Sequence, residues 1–172
     1  MKTLSTIALF CGAVFLSSCT KEGPAGPAGA QGPQGNANVQ SVTFSVSPGD
    51  WSPFGTSGQV GFGYAVNRNV SIVTQSIVNT GAVLLYLKAG NDRWVALPVT
   101  IAEGTTWNKI WLYSYGVGSV QIEVYDDDQQ TSAPNQVTEY KVVAIASSAM
   151  ITNSGVDVMN YYEVQDYFGL EE

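Results

Sequence analysis

The chain has 172 residues, of which 45% are apolar and 12% charged, with 18 glycines, 9 tyrosines and no histidine. That length admits one domain with terminal extensions, and the apolar fraction supports an ordered, β-rich fold rather than a disordered segment. A formal net charge of −7, from 7 basic against 14 acidic residues, argues against nucleic acid as a partner, because neutralising phosphates requires clustered cations.

Residues 1–18 read as a targeting segment. Lys2 supplies the positive start, and the run from Leu4 to Leu16 has the length of a signal-peptide core. It falls short of the roughly 20 apolar residues that a spanning helix needs. The next residues, Leu16-Ser17-Ser18-Cys19, are similar to the bacterial lipoprotein lipobox, in which a cysteine follows an aliphatic residue and two small ones. The resemblance implies that Cys19 is acylated and becomes the mature N-terminus, so the membrane is the first expected partner, through lipid on Cys19. Cys11 would leave with the signal, and the mature protein would hold no disulfide. The residues after Cys19 lack the aspartate that in some bacteria retains lipoproteins at the inner membrane. The expected location is therefore the outer membrane, exposed at the cell surface.

Residues 19–37 form a second segment. Gly23, Gly26, Gly29, Gly32 and Gly35 recur at every third position, with Pro24, Pro27 and Pro33 beside three of them. This resembles collagen, where only glycine fits the crowded axis and proline fixes φ. Even a single copy would be stiff and extended, about 45 Å long at about 3.1 Å per residue. The repeat admits either a monomeric polyproline-like tether or a homotrimer wound through the stalk.

Residues 38–172 read as strands separated by turns. Val42, Phe44 and Val46 alternate with polar residues, as do Val60, Phe62, Tyr64 and Val66 with small ones, the period of a half-buried strand. "SPGDWSPFGTSG" between them is a long turn. The uniformly apolar "AVLLYLKA" from Ala82 predicts a central strand, followed by a hairpin turn at "GNDR" and one strand through "WVALPVTI". Trp107–Tyr115 and Val120–Tyr125 are two strands joined at "GVGS", and Glu139–Ala146 is the last. Seven or eight short strands without a long helical period predict an all-β fold, an antiparallel β-sandwich of jelly-roll or Ig-like type. Near the end, Asn160 stands three residues before Glu163, and Tyr161, Val164, Tyr167 and Phe168 recur at helical spacing before Gly169. This predicts a short C-terminal helix packed on the sandwich as a lid.

The whole resembles a group of uncharacterised Bacteroidota-type surface lipoproteins that carry a short collagen-like run after the lipobox. "NTGAVLLYLK", Trp94, Leu97-Pro98, "YKVVAIA" and "NYYEVQDYF" look like segments of that group's β-rich domain. The resemblance implies architecture and carries no catalytic residues.

The absence of histidine removes the commonest general base, the Ser-His-Asp arrangement and most zinc sites. A glycosidase-like carboxylate pair would have to come from Asp50, Asp92, Glu103, Glu123 or Glu139, and no spacing singles out two of them. No enzyme activity and no cofactor are expected. Asp126-Asp127-Asp128 reads first as a charged strand end that keeps a sheet edge soluble, and only weakly as a calcium candidate, since adjacent strand residues point in opposite directions.

"WNKIWLYSY" is the sharper candidate. One face carries Trp107, Lys109, Trp111, Tyr113 and Tyr115, the other Asn108, Ile110, Leu112 and Ser114. If Ile110 and Leu112 point inward, Trp107, Trp111, Tyr113 and Tyr115 form an exposed ligand-binding platform for sugar rings or a protein, which Trp51 and Trp94 would extend. If the aromatic row points inward, it is core. The expected function is accordingly a surface recognition or adhesion module with a glycan or protein ligand. The alternative is a structural or assembly component of the envelope, trimeric through the stalk.

Overall fold

The computed structural model describes residues 38–90, 92–103, 105–149 and 155–170. The signal at 1–18, lipidation of Cys19 and the collagen-like stalk at 19–37 lie outside the described residues. Among the described residues nine strands and two short α-helices follow in chain order: β1 Val39–Val46, β2 Ser52–Phe54, β3 Gly63–Asn69, α1 Gln75–Thr80, β4 Ala82–Ala89, β5 Arg93–Ala96, β6 Val99–Glu103, β7 Trp107–Gly116, β8 Ser119–Asp126, β9 Thr138–Ile145 and α2 Tyr161–Phe168.

The strands form two sheets, β1-β9-β4-β5 (sheet A) and β2-β3-β8-β7-β6 (sheet B), with every neighbouring pair antiparallel. One apolar core joins them. Val46, Leu85, Tyr140 and Val142 from sheet A meet Val66, Trp111, Ile122 and Val124 from sheet B. The Tyr113 hydroxyl donates across this core to the Val83 carbonyl at 2.8 Å, tying one sheet to the other. This is the layering of a β-sandwich.

β8 shows the alternation of a strand with one wet face: Val120, Ile122, Val124 and Asp126 are buried and the intervening residues only half-buried. β4 and β9 lack that alternation because α2 covers the outer face of sheet A. Tyr161, Val164 and Phe168 of α2 pack on Tyr86, Val143 and Ile145, a second apolar cluster behind the first. Uniform hydrophobicity in "AVLLYLKA" thus reflects burial on both sides.

The C-terminal helix starts and stops where its sequence predicts. The Asn160 side chain accepts from the Tyr162 amide at 3.2 Å and donates to Glu163 Oε1 at 3.0 Å. Gly169 takes the left-handed conformation, φ 63°, and the Leu170 amide closes the end on the Gln165 carbonyl at 3.0 Å. Tyr167, expected on the buried stripe, is 50% exposed.

Three expectations need correcting. The stretch Val60–Val66 enters its strand only at Gly63, because Gly55, Gly58 and Gly61 hold positive φ in the preceding turn. "WVALPVTI" is two strands: the Leu97 amide still donates to Leu85 in sheet A at 2.8 Å, whereas Val99 already pairs with Trp111 in sheet B. Pro98 lies between, with no amide to continue a ladder. The third correction is α1, six residues capped by Thr74 Oγ1 and too short to display a helical period. Among the described residues no helix is long and apolar enough to cross a membrane.

Candidate functional site

The tight β7–β8 turn decides where the aromatic row points. Gly116 pairs with Ser119 around Val117-Gly118, with Gly118 at φ 75°, and the register follows residue by residue: Tyr115 opposite Val120, Tyr113 opposite Ile122, Trp111 opposite Val124, Lys109 opposite Asp126. Directly paired residues share a face. The row therefore faces inward with the buried valines of β8, and Ile110 and Leu112 take the outer face.

The exposed aromatic platform is not formed. Trp111 is 5% exposed, Trp107 and Tyr113 are half-buried, and Tyr115 is 40% exposed at the end of the strand. Trp51 is buried as well, against Trp111 with ring centroids 5.9 Å apart. Trp94 stands on the opposite sheet. Two rings of the row still stack near the surface, Tyr113 on Tyr115 at 6.4 Å.

What the row builds instead is one wall of a cleft between the sheets. Glu103, Lys109 and Trp111 from sheet B face Thr138 of β9, and Pro134, Asn135 and Gln136 of the β8–β9 connection close one side, around a volume of 330 Å³. Lys109 can stand here because its Nζ lies 2.9 Å from Asp126 Oδ1 and 5.4 Å over the Trp107 ring. The Lys109–Asp126 contact has ion-pair distance without hydrogen-bond alignment, since Asp126 Oδ1 has no hydrogen-bond partner.

Two atoms of this wall are unusual. Trp111 Nε1 and Thr138 Oγ1 are buried and lack a hydrogen-bond partner, as does the neighbouring Tyr140 hydroxyl. A buried polar atom left unpaired costs about 1–3 kcal/mol, so such atoms normally find a partner in protein, water or ligand. Burial pushes the Tyr140 phenol well above its ordinary range, against a smaller opposing pull from the nearby Thr138 hydroxyl, whose contact with it lacks hydrogen-bond geometry.

The three carboxylates of Asp126-Asp127-Asp128 point to separate partners. Asp126 turns inward to Lys109, Asp127 accepts from the Asn108 amide and side chain at 2.8 and 2.7 Å, and Asp128 accepts from the Gln130 amide at 3.0 Å. Three neighbouring carboxylates thus serve three different partners, and no cluster of metal ligands occurs among the described residues. The Asn108 contacts hold the Asp127 carboxyl below its ordinary range.

Among the other carboxylates, Asp50 pairs with Arg68, and Glu123 accepts from Gln121. Asp92 and Glu139 meet on Lys88, at 3.2 and 2.8 Å. Sequence reasoning missed Asn135, Gln136 and Thr138, ordinary polar residues whose only signal is the strand entry that brings them opposite Trp111. No protein-family model matches the chain, and no curated protein or solved structure is similar to it. Function has to be argued from the residues themselves.

Proposed function

We propose that this is a membrane-anchored bacterial envelope lipoprotein of the Bacteroidota type, acylated on Cys19 and carrying a non-catalytic jelly-roll- or Ig-like sandwich on a collagen-like stalk. The domain recognises a glycan at the outer surface. One observation carries the recognition step: an open cleft between the sheets sets the polar side chains of Glu103, Lys109, Asn135 and Gln136 beside Trp111 and Thr138. Those four side chains supply the mixed donors and acceptors that hydroxyl groups require. A volume of 330 Å³ suits a single sugar residue or chain end. The lipobox and the glycine repeat support the anchoring, because each additional acyl chain strengthens attachment and a stiff spacer lifts the domain from the bilayer.

A glycan-array screen of the full chain beside its Glu103→Gln and Asn135→Ala variants tests the recognition. Binding that falls in both variants supports it, whereas equal binding by all three, or none by wild type, overturns it. Mass spectrometry of native material tests the anchor: an unmodified Cys19 removes it.

The inward aromatic row favours a second reading, a structural component of the envelope. In that reading Trp111 is core, Ile110, Leu112 and Tyr125 lie half-buried on the outer face of sheet B, and assembly through the stalk is the activity. Sedimentation of the full chain as a trimer, with no glycan bound, would select it.

A further inference from the structure

The outer face of sheet A holds a second constellation, separate from the cleft and resting on different residues. Lys141 is 6% exposed. Its Nζ donates to the Tyr161 hydroxyl at 2.8 Å and lies 4.3 Å from the Tyr161 ring centre and 4.7 Å from that of Trp94. Cation–π contacts stabilise a desolvated ammonium, but they do not use its N–H donors, of which there are three.

Among the described residues no carboxylate pairs with Lys141. The nearest by position is Glu139, two residues earlier on the same face of β9. Its carboxylate goes to Lys88 at 2.8 Å instead, and Asp92 goes there too. Lys88 therefore takes both local acids, its own charged form favoured chiefly by the Glu139 hydrogen bond, and Lys141 is left without a counter-ion. A buried cation in that state is costly unless something else completes its shell.

The groove beside it has room for that. It measures 560 Å³ and is lined by Thr43, Lys88, Asp92, Trp94, Glu139 and Lys141. Trp94 is half-buried, its ring centre 4.7 Å from Lys141 Nζ, 5.8 Å from Lys88 Nζ and 5.9 Å from that of Tyr161.

We propose that this groove binds an acidic sugar, a hydroxylated ring bearing one carboxylate, with the carboxylate on Lys141 Nζ and the ring against Trp94. The acid supplies the counter-ion that Lys141 lacks. Hydroxyl groups donate to the carboxylate oxygens of Asp92 and Glu139, which retain lone pairs beyond those used by Lys88. A bare anion gains only the first of these contacts and is repelled by the two acids, and a neutral sugar gains only the second. The groove therefore discriminates on both counts.

The test is titration of the full chain with sodium glucuronate, glucose and sodium acetate at matched ionic strength, following the Trp94 indole N–H by NMR. Glucuronate is expected to give a saturable shift that glucose and acetate do not. Lys141→Met fills the aromatic cage without charge and should weaken binding by about tenfold or more, the scale of a lost charge-assisted hydrogen bond. Should that variant not fold, Trp94→Ala removes a half-exposed ring and should weaken glucuronate to a similar degree, read at the Lys88 and Lys141 amides. A wild-type protein that gives no saturable shift with glucuronate overturns the proposal. So does an equal response to glucose or acetate, or a folded Lys141→Met that binds as wild type does. Because Trp111 and Thr138 take no part, the result is independent of the cleft.

Discussion

Trp51 meets Trp111 edge to face within the core, with ring centroids 5.9 Å apart and planes at 69°, and neither indole nitrogen has a hydrogen-bond partner. Each ring is more than nine-tenths buried. The pair brings the loop ahead of β2 against the centre of β7, and through Trp111 it reaches Tyr140 of the opposite sheet at 6.4 Å.

Truncating this contact should be costly. Trp111→Ala is expected to lower stability by about 3–5 kcal/mol, the usual range for a buried aromatic. Trp111→Phe keeps much of the apolar contact and removes the orphan donor, so its loss should be distinctly smaller. Urea denaturation of the two variants checks the order. A Trp111→Ala protein within about 1 kcal/mol of wild type would mean that the ring is not core.

The Lys109–Asp126 pair should be sensitive to losing one partner and tolerant of losing both. Their side chains are 12% and 4% exposed, and Asp126→Ala would leave the ammonium facing Trp107 alone. The expected cost is about 3 kcal/mol, while Lys109→Met with Asp126→Leu should recover most of it. A double-mutant cycle measured by denaturation gives the coupling, and additive single effects would show that the two charges do not interact.

Much of the fold was legible because local rules acted alone. Asn160, Glu163 and Gly169 set α2 without help from distant residues, and β8 announced its buried face by strict alternation. The direction of the aromatic row was readable too, though from β8 rather than from β7. A two-residue turn at Val117-Gly118 places Lys109 opposite Asp126 and Trp111 opposite Val124, so the valine face had to be the aromatic face. Weighing the faces of β7 in isolation hid this, since both carry large apolar residues. The cleft and the Lys141 groove were not legible at all. Each depends on which strands lie side by side, such as β9 between β1 and β4, and on Lys88 drawing Glu139 away from Lys141. Such choices are made by tertiary packing.

Alkaline pH should unfold the domain through its buried phenols. Burial, above all, raises Tyr86, with smaller contributions from Tyr113, Tyr161 and Asp157, and burial likewise raises Tyr140 and Tyr113, from an ordinary value of 10.0. A raised pKa means that the unfolded chain loses these protons first. The stabilisation is therefore whole below pH 10.0 and shrinks as pH climbs toward the folded values. Denaturation midpoints measured between neutral pH and about pH 11 should fall above pH 10, and less steeply in Tyr140→Phe. Because the Tyr140 hydroxyl makes only a poorly aligned contact with Thr138, that substitution should cost little at pH 7.

At the acid end the sign reverses. The Ser47 amide, and then Arg68, hold Asp50 below its ordinary 3.8, and Asn108 does the same for Asp127. Their contribution is complete above pH 3.8 and fades as pH falls through the lowered values. Both groups are at the surface, so the effect should be modest and weaker in high salt. Asp50→Asn and Asp127→Asn should each flatten the stability profile below about pH 4 while leaving its alkaline limb unchanged. An unaltered acid limb in both variants would place the acid-sensitive groups elsewhere.

The lid helix should be separable from the sandwich beneath it. Its ends rest on single residues: Asn160→Ala removes the cap on Tyr162 and should cost about 1 kcal/mol, and Gly169→Ala, forced to φ 63°, about 1–2 kcal/mol. Its packing rests on Tyr161, Val164 and Phe168, and the Tyr86 hydroxyl anchors the preceding segment by donating to Val158 at 2.8 Å. If α2 opens before the sandwich does, both substitutions should speed hydrogen exchange in α2 and at the β9 amides beneath it, leaving β7 and β8 protected. If all strands lose protection together, α2 is part of the same cooperative unit.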